Sequence, residues 1–262
     1  MPSPHPALTR ARRVLLAVAA LATVSPSMPL GAPAQASVPV ERSVTAPAVE
    51  AAPTASTAAT TVTRHVRAGS GMFVRVYRNT SGASAGHYVP RGDMVKGTVQ
   101  GRWFRMAPGR YVRTADLTTR HTPYSSRNGR HAPGHLCHVR GSASAAHLLT
   151  ACRSVRPLER LNRAYRARFG EDLRWDECYR TYDTQVAYRR AFGRMAATPG
   201  TSNHGTLTRA TCDLPESRRK YGFGTTRHRW LVRHGARYGW VQPAWARRDG
   251  RKPEYWHFEY VR

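Results

Sequence analysis

Pro253-Glu254-Tyr255-Trp256-His257-Phe258-Glu259-Tyr260, almost at the C-terminus, is the stretch on which the reading of this chain turns. Read as a strand, it sends Trp256, Phe258 and Tyr260 to one face and His257 and Glu259 to the other. An aromatic face of that kind buries itself, and the opposite face then holds an imidazole rigidly. Glu254 lies three residues before His257, so on a flat strand it faces the wrong way. The two share a site only if the backbone turns near Pro253, where the ring fixes φ. A Glu and a neutral His converging on one point supply the base and one ligand of a zinc hydrolase. Without the turn, the stretch is a core strand carrying an exposed Glu-His pair.

The chain has 262 residues, enough for one or two domains with a real core in at least one. Its formal charge is +27, carried by arginine except for Lys96, Lys220 and Lys252. Such a charge attracts polyanions: nucleic acid, anionic membrane or anionic cell-wall polymer. The N-terminus narrows the choice. Arg10, Arg12 and Arg13 precede an apolar run from Val14 to Val24, and Ala34-Gln35-Ala36 offers a small-x-small cleavage site before Ser37. That order reads as a secretory signal peptide over residues 1–36. The run is too short to span a bilayer, and no later segment reaches the ~20 apolar residues needed. The expectation is a secreted protein, extracellular or cell-wall associated, with no stable membrane insertion and no nucleic-acid partner.

Four cysteines remain after export: Cys137, Cys152, Cys178 and Cys212. An even number in an oxidising compartment favours two disulfides, with three connectivities open, and the spacing is not that of a zinc finger. Proximity in sequence favours Cys137 with Cys152 and Cys178 with Cys212.

Residues 37–62 are Ala, Thr, Ser, Pro and Val with few large side chains, a composition expected to give a disordered tether. Over residues 63–118 the pattern is short and β-like, with Met72 to Tyr77 as a strand candidate and turn formers at Asn79, Ser81, Gly82 and Gly86. Strands this short and this regularly spaced predict a small all-β barrel. Residues 119–136 read as a second linker. Beyond it, Leu158, Leu161, Tyr165 and Phe169 form one helical stripe between Pro157 and Gly170, which suit a first turn and a C-terminal cap. A strand is expected around Trp175 to Tyr182, then a helix capped by Asp183 and running through Tyr188 to Phe192. Thr226 to His234 reads as a further helix and Tyr238 to Val241 as a strand. Helices interleaved with short strands give an α+β class.

One more stretch is rich in ligand types: Ser202-Asn203-His204-Gly205, followed by Arg209 to Leu214. His204, Asp213 and His257 would offer a zinc ion two imidazoles and one carboxylate, leaving a fourth position open. Glu254 would then be the proton acceptor. Cys212, as a thiolate, is the alternative third ligand.

The pattern Ser-x-His…Asp…Glu-x-x-His, preceded by Tyr179-Arg180-Thr181-Tyr182 and Gln185, resembles zinc D-alanyl-D-alanine carboxypeptidases of the VanY type. Gly200 to Gly205, and Tyr238-Gly239-Trp240 through Pro243 to Arg247, are similar to that family too, so the resemblance covers residues 137–262. Residues 63–118 resemble bacterial SH3-like domains through Pro90-Arg91-Gly92, Gly101-Arg102-Trp103 and Gly109-Arg110-Tyr111-Val112. The first resemblance implies His204, Asp213 and His257 as zinc ligands, Glu254 as catalytic base and Arg180 as the cation that steadies a substrate carbonyl or carboxylate. It also implies Ser202 and Gln185 as substrate-binding positions, and D-Ala-D-Ala-type bonds of peptidoglycan stem peptides as substrate. The second implies docking onto cell-wall peptide or glycan. One departure stands out. Eight residues, Gly205 to Cys212, separate His204 from Asp213, where the family pattern has six. Two extra residues in a turn would leave the ligands in place, whereas within a strand they would move Asp213 by ~6–7 Å. The alternative reading is therefore a cell-wall-binding protein that keeps the fold without hydrolysis.

Overall fold

The computed structural model describes residues 60–67 and 71–262. The expected signal peptide, and all of the expected tether before residue 60, lie outside the described residues.

Seven strands come first: β1 (Val62–Val66), β2 (Phe73–Tyr77), β3 (Ser84–Pro90), β4 (Met94–Gln100), β5 (Trp103–Ala107), β6 (Arg110–Arg113) and β7 (Leu117–Thr118). Period-2 alternation buries Val74 and Val76 on β2 and Phe104 and Met106 on β5, around Val89, Val95 and Val112. Gly97 lets β4 and β5 approach, since a Cβ there would lie 2.0 Å from the Arg105 carbonyl oxygen. The strands form one antiparallel sheet in the order β3-β2-β6-β5-β4-β1-β7. No ladder among the described residues joins β3 to β7, so the expected barrel is instead an unclosed sheet. The reason lies in β7, two residues long and paired with β1 alone.

Residues 119–135 carry one short helical turn, Pro133–His135. They are tied to the following half by Thr122 N donating to Asp183 Oδ2 (2.8 Å) and Gly129 N donating to the Gly205 carbonyl (2.7 Å). Next come a hairpin-like pair, β8 (Leu136–His138) with β9 (Leu149–Ala151), and the long helix α1 (Cys152–Phe169). Leu158, Leu161 and Tyr165 of the predicted stripe are buried and Phe169 is half-buried against the same core, and Gly170, at φ 70°, ends the helix in the left-handed conformation. The helix starts five residues before Pro157, because a Cys137–Cys152 disulfide fastens its first turn to β8. Pro157 thus sits inside the helix, where its missing N–H forfeits one backbone bond.

The strand expected around Trp175 to Tyr182 is an extended segment with a single bridge, Glu177 to Asp213, and Tyr182 already belongs to the helix α2 (Tyr182–Phe192). The cap of α2 is Thr181, whose Oγ1 accepts from Thr184 N at 3.1 Å; the Asp183 carboxylate is turned towards Thr122 instead. After β10 (Thr211–Asp213), the short α3 (Arg218–Tyr221) and α4 (Thr226–His234), the chain closes with β11 (Trp240–Val241) and β12 (His257–Tyr260). Gly239, at φ 79°, confines β11 to Trp240 and Val241. The last three strands form an antiparallel sheet with β12 in the centre. Its core face, with Phe258 and Tyr260, packs on Trp175, Trp240, Leu158, Leu161 and Tyr165. The two halves meet at Met94, Leu136, Leu149 and Tyr179, and Thr181 Oγ1 donates across to the Gly92 carbonyl at 2.7 Å. No helix among the described residues is long and apolar enough to cross a membrane.

Candidate metal centre

The centre is built by strand register. β10 and β12 pair Thr211 with Glu259, Cys212 with Phe258 and Asp213 with His257. Directly opposed residues on an antiparallel pair point to the same face. Asp213, His257, Thr211 and Glu259 therefore share the side away from the core, while Cys212 and Phe258 point into it. Cys212 bonds Cys178 on the neighbouring extended segment, with Cα atoms 4.0 Å apart. That bond removes Cys212 as the alternative ligand, and both disulfides follow the pairing favoured by sequence proximity.

The register brings His257 Nδ1 to 3.0 Å from Asp213 Oδ1. His204 arrives from a single helical turn, Asn203–Gly205, with Nε2 at 3.2 Å from Asp213 Oδ2 and Nδ1 at 2.7 Å from the Cys178 carbonyl. A carbonyl only accepts, so Nδ1 of His204 donates to it, and Nε2 is the nitrogen that faces Asp213. The longer His204–Asp213 spacing is taken up by residues 206–210, which lie outside β10 and leave Asp213 in place. His204, Asp213 and His257 are all buried, with one potential ligand atom from each within 4.8 Å of the others.

Glu254 is brought in by a turn at Tyr255-Trp256, after Glu254 rather than at Pro253. Glu254 to Trp256 lie outside the strand, His257 N donates to the Glu254 carbonyl at 3.3 Å, and Glu254 Oε2 lies 3.7 Å from His257 Nδ1. The Glu-His pair is buried, Glu254 at 7 % and His257 at 2 % exposure, so the exposed-pair alternative does not describe it. Glu254 Oε1 pairs with Lys252 Nζ at 2.9 Å. The Trp245 ring packs 4.7 Å from that of His257.

Three buried carboxylates around two imidazoles make the centre hungry for positive charge. Burial opposes ionisation of Asp213, yet the neighbouring His204 and His257 hold its carboxyl well below the ordinary range. Burial also opposes protonation of His257, yet hydrogen bonds to Asp213 and Glu259 outweigh it and raise the imidazole to about 9. Two nitrogens and a carboxylate oxygen at this separation form a donor set that suits zinc with a position left open. The residues present fit the ion.

A groove of roughly 530 Å3 opens over this centre, lined also by Arg180, Ser202, Trp245, Arg251, Lys252 and Trp256. Arg180 is held in a two-point pair by Glu177 (Nε to Oε1, 2.8 Å; Nη2 to Oε2, 2.7 Å), and Nη1 donates to Ser202 Oγ at 3.3 Å. Its guanidinium also lies over the Tyr188 ring, 4.7 Å from the centroid. Burial opposes the Arg180 charge, but Glu177 more than restores it and pushes the group above its usual value. Gln185 is buried and is not among the groove's lining residues. Its amide nitrogen donates to Asn128 Oδ1 (2.9 Å) and its oxygen accepts from Gly200 N (2.7 Å), so it fixes the loop that carries Ser202. The sequence reading assigned no role to Glu177, Asn203, Trp245 or Lys252. Glu177 lies three residues before Arg180 on an extended segment, a spacing that carries no signal on its own.

No family model matches the sequence, and no curated protein matches it. Among solved structures, the chain is similar to the LdcB LD-carboxypeptidase, at 18% identity over 52% of this chain and 75% of that one, with a TM-score of 0.39. It is similar to a VanY D,D-pentapeptidase solved with Zn(II), at 24% identity over 48% and 78%, TM-score 0.34. A third is the L,D-carboxypeptidase DacB from Streptococcus pneumonia, at 18% identity over 63% and 84%, TM-score 0.31. The chain's own helices and sheets make it a mixed α+β protein, and its distant structural similarity to peptidoglycan carboxypeptidases covers about half its length. At these scores the chemistry rests on the geometry of the centre itself.

Proposed function

We propose that this chain is a secreted zinc peptidase that hydrolyses D-Ala-D-Ala-type bonds of peptidoglycan stem peptides. The observation that carries the reading is the meeting of His204, Asp213 and His257 within ligand distance, with the Glu254 carboxylate beside them at the base of a groove. His204, Asp213 and His257 would hold the ion, which when bound supplies Lewis acidity to a carbonyl and acidity to water. Glu254 is the general base. Lys252 occupies its Oε1, so Oε2 takes the proton of the attacking water and returns it to the leaving amine nitrogen. Arg180, aimed by Glu177 and Ser202, steadies the oxygen that gains charge. Arg251 and Lys252 give the groove a cationic rim suited to the free carboxylate of a D-Ala end. The two disulfides suit an oxidising compartment outside the cytoplasm. In this reading residues 63–118 are the wall-docking part, and the chain's positive charge favours anionic wall polymer.

The test is D-Ala release from a pentapeptide ending in D-Ala-D-Ala, with and without a chelator. We expect release that needs the metal and falls by at least about a hundredfold in Glu254→Ala. Purified protein that holds zinc but releases no D-Ala, or release untouched by Glu254→Ala, overturns the assignment. Protein that binds wall polymer and no zinc is instead the non-catalytic binder.

A further inference from the structure

His257 differs from His204 in one respect. The Nδ1 of His204 faces a carbonyl, which fixes its proton, whereas both ring nitrogens of His257 face carboxylate oxygens: Nδ1 faces Asp213 at 3.0 Å and Nε2 faces Glu259 Oε1 at 3.3 Å. An imidazole that ligates a metal through one nitrogen keeps a single proton, on the other nitrogen. If it sits on Nδ1, the nitrogen beside Asp213 has no lone pair for a metal; if it sits on Nε2, that lone pair is available. The choice falls to whatever holds Nε2.

We propose that Glu259 is a positioning residue that keeps the His257 proton on Nε2 and so presents Nδ1 to the metal ion; this rests on the zinc reading above. Several features make Glu259 more than a bystander. It stands two residues from His257 on the same face of β12, within the ladder to β10. It is 1 % exposed, a costly place for a carboxylate without a task. Asn203, the neighbour of His204, donates to Glu259 Oε1 at 2.9 Å, so one carboxylate oxygen joins the two histidine-bearing segments. Glu259 Oε2 has no hydrogen-bond partner among the described residues, and Arg209 Nη1 approaches it at 3.6 Å from the solvent side. Arg209 belongs to the lengthened segment between His204 and Asp213. The extra chain length therefore brings a counter-charge to the buried carboxylate rather than displacing the ligand. A carboxylate behind a ligating imidazole fixes its tautomer and orientation, and losing such a partner costs about 10–100-fold in metal affinity.

The experiment is a zinc titration against a competing chelator on the full chain, for wild type, Glu259→Ala, Glu259→Gln and Asn203→Ala. It is paired with the 1H–15N spectrum of the His257 ring in the zinc-loaded protein. We expect affinity to fall by about 10–100-fold in Glu259→Ala, with much of it restored in Glu259→Gln, whose amide oxygen still accepts from Nε2–H. A His257 Nε2–H signal, protected from solvent exchange in wild type, should be lost in Glu259→Ala. Undiminished affinity in Glu259→Ala, or a wild-type Nε2–H that exchanges freely, overturns the role of Glu259 while leaving zinc binding intact. Failure of wild type to bind zinc overturns the zinc reading and this inference with it. If Glu259→Ala does not fold, Glu259→Gln and the wild-type exchange rate decide the matter.

Discussion

Replacing Glu177 with alanine removes the counter-charge of a guanidinium almost closed off from bulk water. The Arg180 and Glu177 side chains are 12 % and 9 % exposed, and two charge-assisted hydrogen bonds of 2.7 and 2.8 Å join them. Desolvating both ions offsets most of their mutual attraction, so the intact pair contributes little net stability. Breaking it from one side leaves a buried charge alone, at a cost of about 3–5 kcal/mol. For a folded part of this size that lowers the thermal midpoint by about 6–20 °C. Arg180→Ala strands the carboxylate and should cost a similar amount. Removing both partners strands neither. Glu177→Ala/Arg180→Ala should therefore be more stable than the sum of the single losses implies, by at least about 2 kcal/mol.

Equilibrium urea unfolding of the four proteins, followed by tryptophan fluorescence, measures that coupling. Trp175 and Trp240, buried in the core of the C-terminal half, report its unfolding directly. The same proteins separate stability from chemistry. Zinc affinity should persist in Glu177→Ala, because the ladder contact to Asp213 is made by the Glu177 backbone, with Asp213 N donating to its carbonyl at 2.7 Å. D-Ala release should fall, because Arg180 loses its aim. Single losses that add within about 0.5 kcal/mol would refute the buried-pair reasoning.

The Cys178–Cys212 disulfide joins the segment whose carbonyl orients His204 to the strand that carries Asp213. Cys178→Ala/Cys212→Ala should lose about 2–5 kcal/mol of stability and bind zinc more weakly than wild type; unchanged zinc affinity at a temperature where the variant is folded would show that the bond does not shape the centre. Acid should destabilise the N-terminal sheet. Burial first, then His121, lowers His65 from 6.5 to about 4, and burial first, then Arg110, does the same to His87. Both are neutral in the fold but protonated in the unfolded chain at pH 5, so their stabilising effect is complete above about pH 6.5 and drains away towards pH 4, by at most about 3 kcal/mol for His65. His65→Gln should flatten that dependence, and an unfolding midpoint identical at pH 7 and pH 5 in wild type would exclude it.

What the sequence discloses here follows the range of the interactions. Alternation along a strand is local, so the shared face of His257 and Glu259 is written in residues 257–260, and the helical stripe from Leu158 to Phe169 with Gly170 behind it is equally plain. Barrel closure is not local. It depends on whether the strand at Leu117–Thr118 is long enough to reach a second partner, and two residues are not. Residue type points to Asp183 as the cap of Tyr182–Phe192, but Thr122, some sixty positions away, draws its carboxylate aside and Thr181 caps instead. Glu177 was hard to single out for a similar reason: in a chain this rich in arginine, a carboxylate three residues from one of them looks like solvated surface until burial turns the pair into a constraint.

The His204–Asp213 spacing shows where counting residues stops being informative. Counted along the chain, two additional residues threaten the carboxylate ligand; measured across the sheet, Asp213 is pinned by its ladder to His257 and by the Glu177 bridge, neither of which depends on the length of the preceding turn. Length added between two fixed points costs only slowly growing loop entropy, well under 1 kcal/mol for two residues. The turn is therefore free to vary in length and composition, and in this chain it carries Arg209 to the rim of the buried Glu259 carboxylate. Arg209→Ala is accordingly expected to weaken zinc binding less than Glu259→Ala does, because it removes a partly screened charge and leaves the proton acceptor of His257 in place. Equal losses in the two variants would mean that the charge at the rim, rather than the hydrogen bond to Nε2, is what the centre requires.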